Sequence, residues 1–113
     1  MNDCLFCKIV DGTVPAKLVT EDDRAVAFRD LNPQAPTHVL IVPRKHIATL
    51  AALEDDDAAL VGHLFVVARK IAADEGLTQG WRTVFNVGSH AGQTVLHIHL
   101  HLLGGRPLGW PPG

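Results

Sequence analysis

The six residues His97-Ile98-His99-Leu100-His101-Leu102 constrain this chain more than any other stretch. Histidine and aliphatic side chains alternate without a break, and successive side chains on a strand point to opposite faces. A strand here carries two incompatible surfaces. Ile98, Leu100 and Leu102 make an apolar face that needs a cover. His97, His99 and His101 make an imidazole face, with neighbours roughly 7 Å apart. Three imidazoles in a row are no solution for a hydrophobic core. They read as an exposed surface, as a metal site using two or three of them, or as a catalytic row, since neutral imidazole is a nucleophile near pH 7.

The cover for the apolar face is a helix. Leu60, Leu64, Val67 and Ile71 recur at helical spacing and form one stripe. Asp55, Asp56 and Asp57 crowd its start, Arg69 and Lys70 lie near its end, and Gly76 stops it, which suits the helix dipole. Around it the pattern predicts five strands: Ala16 to Glu21, Ala25 to Asp30, His38 to Val42, Arg82 to Val87 and Val95 to Leu103. Phe6 to Val10 is a short helical or irregular opening. The expected fold is α+β, an antiparallel sheet covered on one face by one long helix, leaving the other face for chemistry.

At 113 residues the chain is read as a single domain spanning 1–113, long enough to bury roughly two thirds of its unfolded surface. Ten basic and twelve acidic side chains give a net charge of −2, with no basic cluster larger than Arg44-Lys45 or Arg69-Lys70. That argues against nucleic-acid and polybasic membrane contacts. No apolar run approaches a membrane span. The opening Met1-Asn2-Asp3-Cys4 lacks the basic start and apolar core of a secretion signal, so the expected location is cytoplasmic.

The loop before the histidine strand, Gly88-Ser89-His90-Ala91-Gly92-Gln93-Thr94, offers two glycines, two hydroxyls and an amide. Glycines let backbone N–H groups turn inward as an anion nest. By itself such a loop is an ordinary hairpin turn. Beside three aligned histidines it points to phosphate. Cys4 and Cys7, three apart, read as a metal-binding pair, a redox pair or two buried thiols. A thioredoxin-type pair would follow a strand, and only three residues precede this one.

His97-Ile98-His99-Leu100-His101-Leu102-Leu103 resembles the signature of the histidine triad (HIT) superfamily. Pro36 to His46 is similar to its upstream strand. Asn86-Val87-Gly88-Ser89 and Gly92-Gln93-Thr94 are similar to its phosphate loop. Gly104-Gly105-Arg106 with Trp110-Pro111-Pro112-Gly113 resembles the Hint branch, the histidine triad nucleotide-binding proteins. The resemblance runs from about Phe6 to Gly113.

It implies a homodimer whose sheet continues from one subunit into the other, with the tail, residues 104–113, packed at the interface near the active site. It implies a purine nucleoside 5′-phosphoramidate hydrolase that needs no metal for the chemical step. Within that resemblance His99 is the nucleophile that forms a nucleotidyl-histidine. His101 binds phosphate and takes part in proton transfer, and His38 lines the same site. Asn86, Gly92, Gln93 and Thr94 hold phosphoryl or leaving-group atoms, Thr94 with a catalytic share. Asp30 takes the ribose hydroxyls, although the residue by itself also reads as a turn cap. Phe6, Ile9, Phe28 and Leu31 surround the base, and Trp110 reaches the partner's site. Thr94 stands where the branch often has Ser, His90-Ala91 replaces a more acidic, glycine-rich pair, and Leu96 replaces a frequent aromatic.

Cys4 and Cys7 resemble a zinc-binding subset of the superfamily, in which the ligands match Cys4, Cys7, His46 and His97. That donor set is a closed structural site. His63 reads as a surface or interface residue and His90 as a loop residue near the phosphate. Three other functions stay open: a dinucleoside polyphosphate hydrolase or nucleotidyl transferase of the same superfamily, a regulatory nucleotide-binding module with incidental turnover, and a pure metal-binding protein that uses the histidine strand.

Overall fold

The computed structural model describes residues 3–113; Met1 and Asn2, which open the stretch read for a secretion signal, lie outside them. Five strands form one antiparallel sheet in the order β1-β2-β3-β5-β4. They are β1 (Leu18–Glu21), β2 (Ala25–Arg29), β3 (Thr37–Pro43), β4 (Trp81–Val84) and β5 (Leu100–Gly104). A short helix, α1 (Leu5–Val10), precedes the sheet, and a 17-residue helix, α2 (Ala58–Asp74), crosses between β3 and β4. Among the described residues no helix is long and apolar enough to cross a membrane.

The stripe on α2 does what its spacing predicts. Leu64, Val67, Ala68, Ile71 and Ala72 are buried, with Leu60 partly so. They pack on Ala25, Ala27, Val39, Ile41, Ile98, Leu100 and Leu102 from one face of the sheet. The start of α2 is built by its acids. Glu54 and Asp57 cap each other's backbone, and Lys45 Nζ lies 2.6 Å from the buried Asp57 carboxylate. Its end is a glycine stop: Gly76 sits at φ +70°, and Leu77 N–H donates to Ala72 O across it.

The opposite face carries a second, smaller cluster. Phe6, Val26, Phe28, Leu40 and Val42 are buried there, with Ile9, Val10, Ala16 and Val95 against them. Alternation places this set on the same side as His38, which shares β3 with Leu40 and Val42.

The strand expected over Val95 to Leu103 is shorter than its alternation predicts. Regular pairing begins at Leu100, opposite Ile41. Continuing that register would set Ile98 opposite Pro43, which has no N–H to donate. The Pro43 carbonyl is already taken by His97 Nε2 at 2.8 Å. The chain therefore leaves the ladder: Ile98 N–H donates to Ile47 O instead. The same departure leaves residues 86 and 87, which would face His99 and Ile98, without a partner strand, and β4 ends at Val84 rather than Val87.

Candidate active site

The departure at Leu100 splits the histidine row into two sites. His99 and His101 stay over the sheet, at a ring-centroid separation of 5.0 Å. His97 is drawn away and fully buried.

A cavity of about 300 Å³ opens beside His99 and His101. Leu5, Phe6 and Ile9 of α1 form one wall, and Val14, Pro15 and Ala16 continue it. Phe28, Arg29, Asp30 and Leu31 enter from the end of β2, and Leu40 from β3. Asn86, Gly92, Thr94 and Val95 close the remaining side. Phe6, Ile9, Phe28, Asp30, Leu31, Asn86, Gly92, Thr94, His99 and His101 thus come together around one space. The cavity is apolar at the α1 end and polar at the histidine end, which fits a ligand with an aromatic base and an ionic group.

Three residues named from the sequence lie outside that lining. His38 is buried behind His101. Trp110 is 83% exposed at the tail. Gln93 is turned into its own loop: its amide nitrogen donates to Ala48 O (2.8 Å) and Val95 O (3.2 Å), and its Oε1 accepts from Gly88 N (3.1 Å). It braces the loop around Gly88 and Gly92, both at positive φ, rather than facing the cavity. Leu5, Val14, Pro15, Ala16, Arg29, Leu40 and Val95 are lining residues that the sequence reading missed. Leu40 had a signal, since it lies two residues after His38 on β3; the 14–16 loop had none.

The hydrogen bonds settle where each imidazole carries its proton. Gln34 N–H donates to His38 Nδ1 at 3.0 Å, so neutral His38 holds its proton on Nε2. That Nε2–H faces His101 Nδ1 at 2.9 Å, with Asp30 Oδ2 3.5 Å away. His101, accepting at Nδ1, keeps its own proton on Nε2. His99 Nδ1 lies 2.8 Å from the His97 carbonyl, which can only accept, so its proton is on Nδ1 and its Nε2 lone pair is uncommitted. The neighbours therefore present opposite faces: a lone pair on His99 and a donor on His101. Phe6 holds the His99 ring edge-on, with centroids 4.9 Å apart.

The electrostatics agree with that protonation pattern. Burial pushes His101 down to about 4, with the charges of His99 and His38 adding to it and Asp30 opposing. Burial also lowers His38, against the pull of Asp30. Both rings are neutral at pH 7, and a neutral His101 is a hydrogen-bond donor that does not compete with His99 for a proton.

The other half of the row meets the N-terminal cysteines. His97 Nδ1 lies 3.3 Å from Cys4 Sγ, 3.4 Å from Cys7 Sγ and 3.2 Å from His46 Nδ1. Cys7 Sγ and His46 Nδ1 are 3.3 Å apart. The four donor atoms all lie within 4.8 Å of one another and could hold a metal ion. Pro43 O, accepting from His97 Nε2–H, turns the Nδ1 lone pair toward the thiols, the usual arrangement behind a metal-bound imidazole. Burial lowers His97, which favours the neutral ligand form.

The remaining histidines do other work. His63 on α2 lies 2.7 Å from Asp22 Oδ2 and ties the helix to the β1–β2 turn. His90 is exposed in the loop. A larger cavity, about 770 Å³, lies away from the row, between residues 76–82 and 105–108. It is lined by no His, Cys or carboxylate.

Known proteins share both the sequence and the fold. The HIT domain family model matches residues 11–108. An uncharacterized HIT-like protein of Synechococcus elongatus is 53% identical over 99% of this chain and 98% of its own. A HIT family hydrolase from Legionella pneumophila superposes with a TM-score of 0.97 at 57% identity, covering 98% of this chain and all of that one. A histidine triad nucleotide-binding protein from Candida albicans superposes with a TM-score of 0.82 at 32% identity, covering 96% of this chain and 83% of that one. By sequence, by fold and by its row of histidines, this chain belongs to the HIT domain family.

Proposed function

We propose that the protein hydrolyses purine nucleoside 5′-phosphoramidates through a nucleotidyl-histidine on His99. The observation that carries this reading is the hydrogen bond from His99 Nδ1 to the His97 carbonyl, which leaves the Nε2 lone pair for attack. The hydrolase from Legionella pneumophila and the nucleotide-binding protein from Candida albicans support the reaction class and the ligand.

In this reading the base lies among Phe6, Ile9, Phe28 and Leu31, and Asp30 accepts from the ribose hydroxyls. His99 Nε2 bonds to the α-phosphorus as the P–N bond breaks. The nitrogen leaves with a proton that comes from solvent and is relayed through the Thr94 hydroxyl or His101, each taking up one proton as it passes one on; a well-placed proton donor contributes about 10²–10⁴ in rate. His101 Nε2–H also binds a phosphoryl oxygen. Water then attacks the same phosphorus as the His99 Nε2–P bond breaks; the water's proton returns to solvent, the nucleoside monophosphate leaves, and His99 is restored with its proton on Nδ1. The covalent intermediate divides one hard displacement into two easier ones.

The reading includes structural zinc on Cys4, Cys7, His46 and His97. A tetrahedron with bonds of about 2.3 Å to sulfur and 2.05 Å to nitrogen has edges of about 3.3–3.8 Å, and the measured donor separations of 3.2–3.4 Å are close to that. Zinc there would cross-link α1 to the segment leading into β5 and supply no step of the reaction. A thiolate–imidazole site suits a reducing cytoplasm.

The reading also includes a homodimer. Strand β4 is an open sheet edge, and Phe65, Val66, Trp81 and Val87 are exposed on and beside it. In such an assembly the sheet continues into the second copy and Trp110 reaches the partner's cavity.

The test is AMP release from adenosine 5′-phosphoramidate by the wild type and by His99→Ala, with AMP binding measured separately. Turnover that disappears in the variant while AMP still binds is the expected result. A wild type that binds AMP and releases none overturns the enzyme reading in favour of a binding module. Faster release from a dinucleoside polyphosphate than from the phosphoramidate would move the substrate class.

A further inference from the structure

The histidine pair is held from a place the reaction never touches. Gly104 ends β5, and Gly105, at φ +92°, turns the chain back over the loop before β3. A Cβ on Gly105 would stand 2.9 Å from Pro36 Cβ, so the tail lies directly against that loop. Arg106 then clasps it. Its guanidinium donates to Gln34 O through Nη2 at 2.8 Å and Nε at 3.3 Å, while Nη1 donates to Pro107 O at 2.8 Å.

Gln34 is the residue whose N–H decides the protonation of His38. A continuous path therefore runs from Arg106 to the Gln34 carbonyl, from Gln34 N–H to His38 Nδ1 (3.0 Å), and from His38 Nε2–H to His101 Nδ1 (2.9 Å). We propose that Arg106 is a positioning residue for the catalytic histidines, acting through Gln34 to hold His38 in one tautomer and one orientation.

Geometry and chemistry both require something in this role. Gln34 lies in an irregular loop, Asn32 to Pro36, in which Pro33 and Pro36 can donate no backbone hydrogen bond. A loop short of donors is poorly fixed by its own backbone. The guanidinium fork supplies two donors to one carbonyl, and a planar fork loses less freedom per hydrogen bond than an ammonium would. Without the clasp Gln34 N–H swings from His38 Nδ1. His38 is then at liberty to place its proton on Nδ1 and turn a lone pair, not a donor, toward His101. His101 would answer by moving its own proton to Nδ1, and the cavity would lose the Nε2–H donor beside His99. Arg106 touches neither substrate nor the histidines, so its effect is on the rate of the chemical step and not on nucleotide binding.

This inference rests on the reading of His99 and His101 as catalytic, and its test separates the two. The imidazole rings of the full-length wild type, Arg106→Ala and Arg106→Lys are examined by ¹⁵N–¹H correlation NMR at pH 7, and turnover of adenosine 5′-phosphoramidate is measured on the same samples. The wild type is expected to show His38 as a single Nε2–H tautomer. Arg106→Ala is expected to show mixed or inverted His38 protonation, with kcat lowered about 10-fold at nearly unchanged KM, the scale of a small misplacement of a reacting group. Arg106→Lys, which keeps one donor to Gln34 O, should recover part of both. Gln34→Pro removes the N–H itself and should match Arg106→Ala, with the double variant no worse than Gln34→Pro alone. The proposal fails if His38 keeps its tautomer in Arg106→Ala, whatever happens to turnover, or if the loss falls on KM alone. If the wild type shows the tautomer but no turnover, the proposed reaction fails while the positioning path stands.

Discussion

His38 Nε2 stands 2.9 Å from His101 Nδ1, and the Gln34 amide on the far side of His38 decides which ring owns the proton between them. Burial then keeps both rings neutral, with His101 held near 4. That depression has a sign for stability. Between pH 4 and 6.5 the unfolded chain binds a proton at His101 and the folded chain does not, so stability rises with pH through the window. The stability is fully present above pH 6.5 and lost as the pH falls toward 4. One histidine displaced this far corresponds to at most about 3 kcal/mol, and the partly exposed, coupled pair to less. His101→Gln should therefore flatten the wild-type dependence. The measurement is the difference between wild-type and variant unfolding free energy at pH 5 and pH 7. The two proteins keep the same Cys4, Cys7, His46 and His97 cluster, so any acid response of that cluster cancels. Equal slopes would show that His101 titrates normally, despite His38, His99 and Asp30 around it.

Asp30 faces two ways. Its Oδ1 accepts from Asn32 N–H at 2.8 Å and its Oδ2 lies 3.5 Å from His38 Nε2 at the edge of the cavity. If the carboxylate holds the ribose, Asp30→Ala should weaken AMP binding about 10-fold or more, since hydrogen bonds to a charged group contribute about 1.5–3 kcal/mol. The informative comparison is 2′,3′-dideoxy-AMP, which lacks the hydroxyls and should bind the wild type and the variant alike. Calorimetric titration of both nucleotides against both proteins closes the cycle. An equal loss for the two nucleotides would assign Asp30 to the turn and to His38 instead.

The alternation at 97–102, the stripe on α2 and the apolar run of β3 were legible because each depends on periodicity, which a chain displays directly. So was the division of the sheet into a helix-covered face and an opposite face, where the cavity lies. Where β5 begins was not legible. It depends on Pro43 lying opposite Ile98, a consequence of register between residues far apart in sequence. The work of Gln93 was hidden for a related reason: an amide beside glycines suits a phosphate and a carbonyl equally well, and Ala48 O comes near only once the chain has folded. The tautomer of His38 was beyond reach because it is set by a backbone N–H, which every residue but proline carries. The pairing of Cys4 and Cys7 with His46 and His97 came from resemblance, since 39 residues separate Cys7 from His46 and spacing carries no signal over that distance.

If the cluster of Cys4, Cys7, His46 and His97 holds zinc, the purified protein should contain about one equivalent per chain by elemental analysis. Chelation should lower the melting temperature, because the ion ties α1 to the segment that enters β5. Each kcal/mol lost is worth about 4 °C in a domain of this size. Cys4→Ser with Cys7→Ser should do the same without a chelator. Turnover per folded molecule should persist below the new melting point, since His99 and His101 lie outside the donor set. Loss of turnover in a still-folded, metal-free protein would place the ion in the chemistry.

Two roles for Gln93, bracing its loop or binding the phosphoryl group, entail different losses of stability. Its side chain connects Gly88 N, Ala48 O and Val95 O, three backbone groups that have no strand to satisfy them. Gln93→Ala strands part of that set in a half-buried place, which costs about 1–3 kcal/mol. It also loosens a loop whose bends, at Gly88 and Gly92, have positive φ. Denaturant unfolding should show the loss in the ligand-free protein, and the deficit should stay constant when AMP is added at saturation. A residue that instead bound the phosphoryl group would leave the ligand-free protein nearly untouched. Its cost would appear only with nucleotide present, as a smaller stabilisation by AMP. Unfolding curves with and without AMP, for wild type and Gln93→Ala, therefore decide whether the amide serves the loop or the ligand.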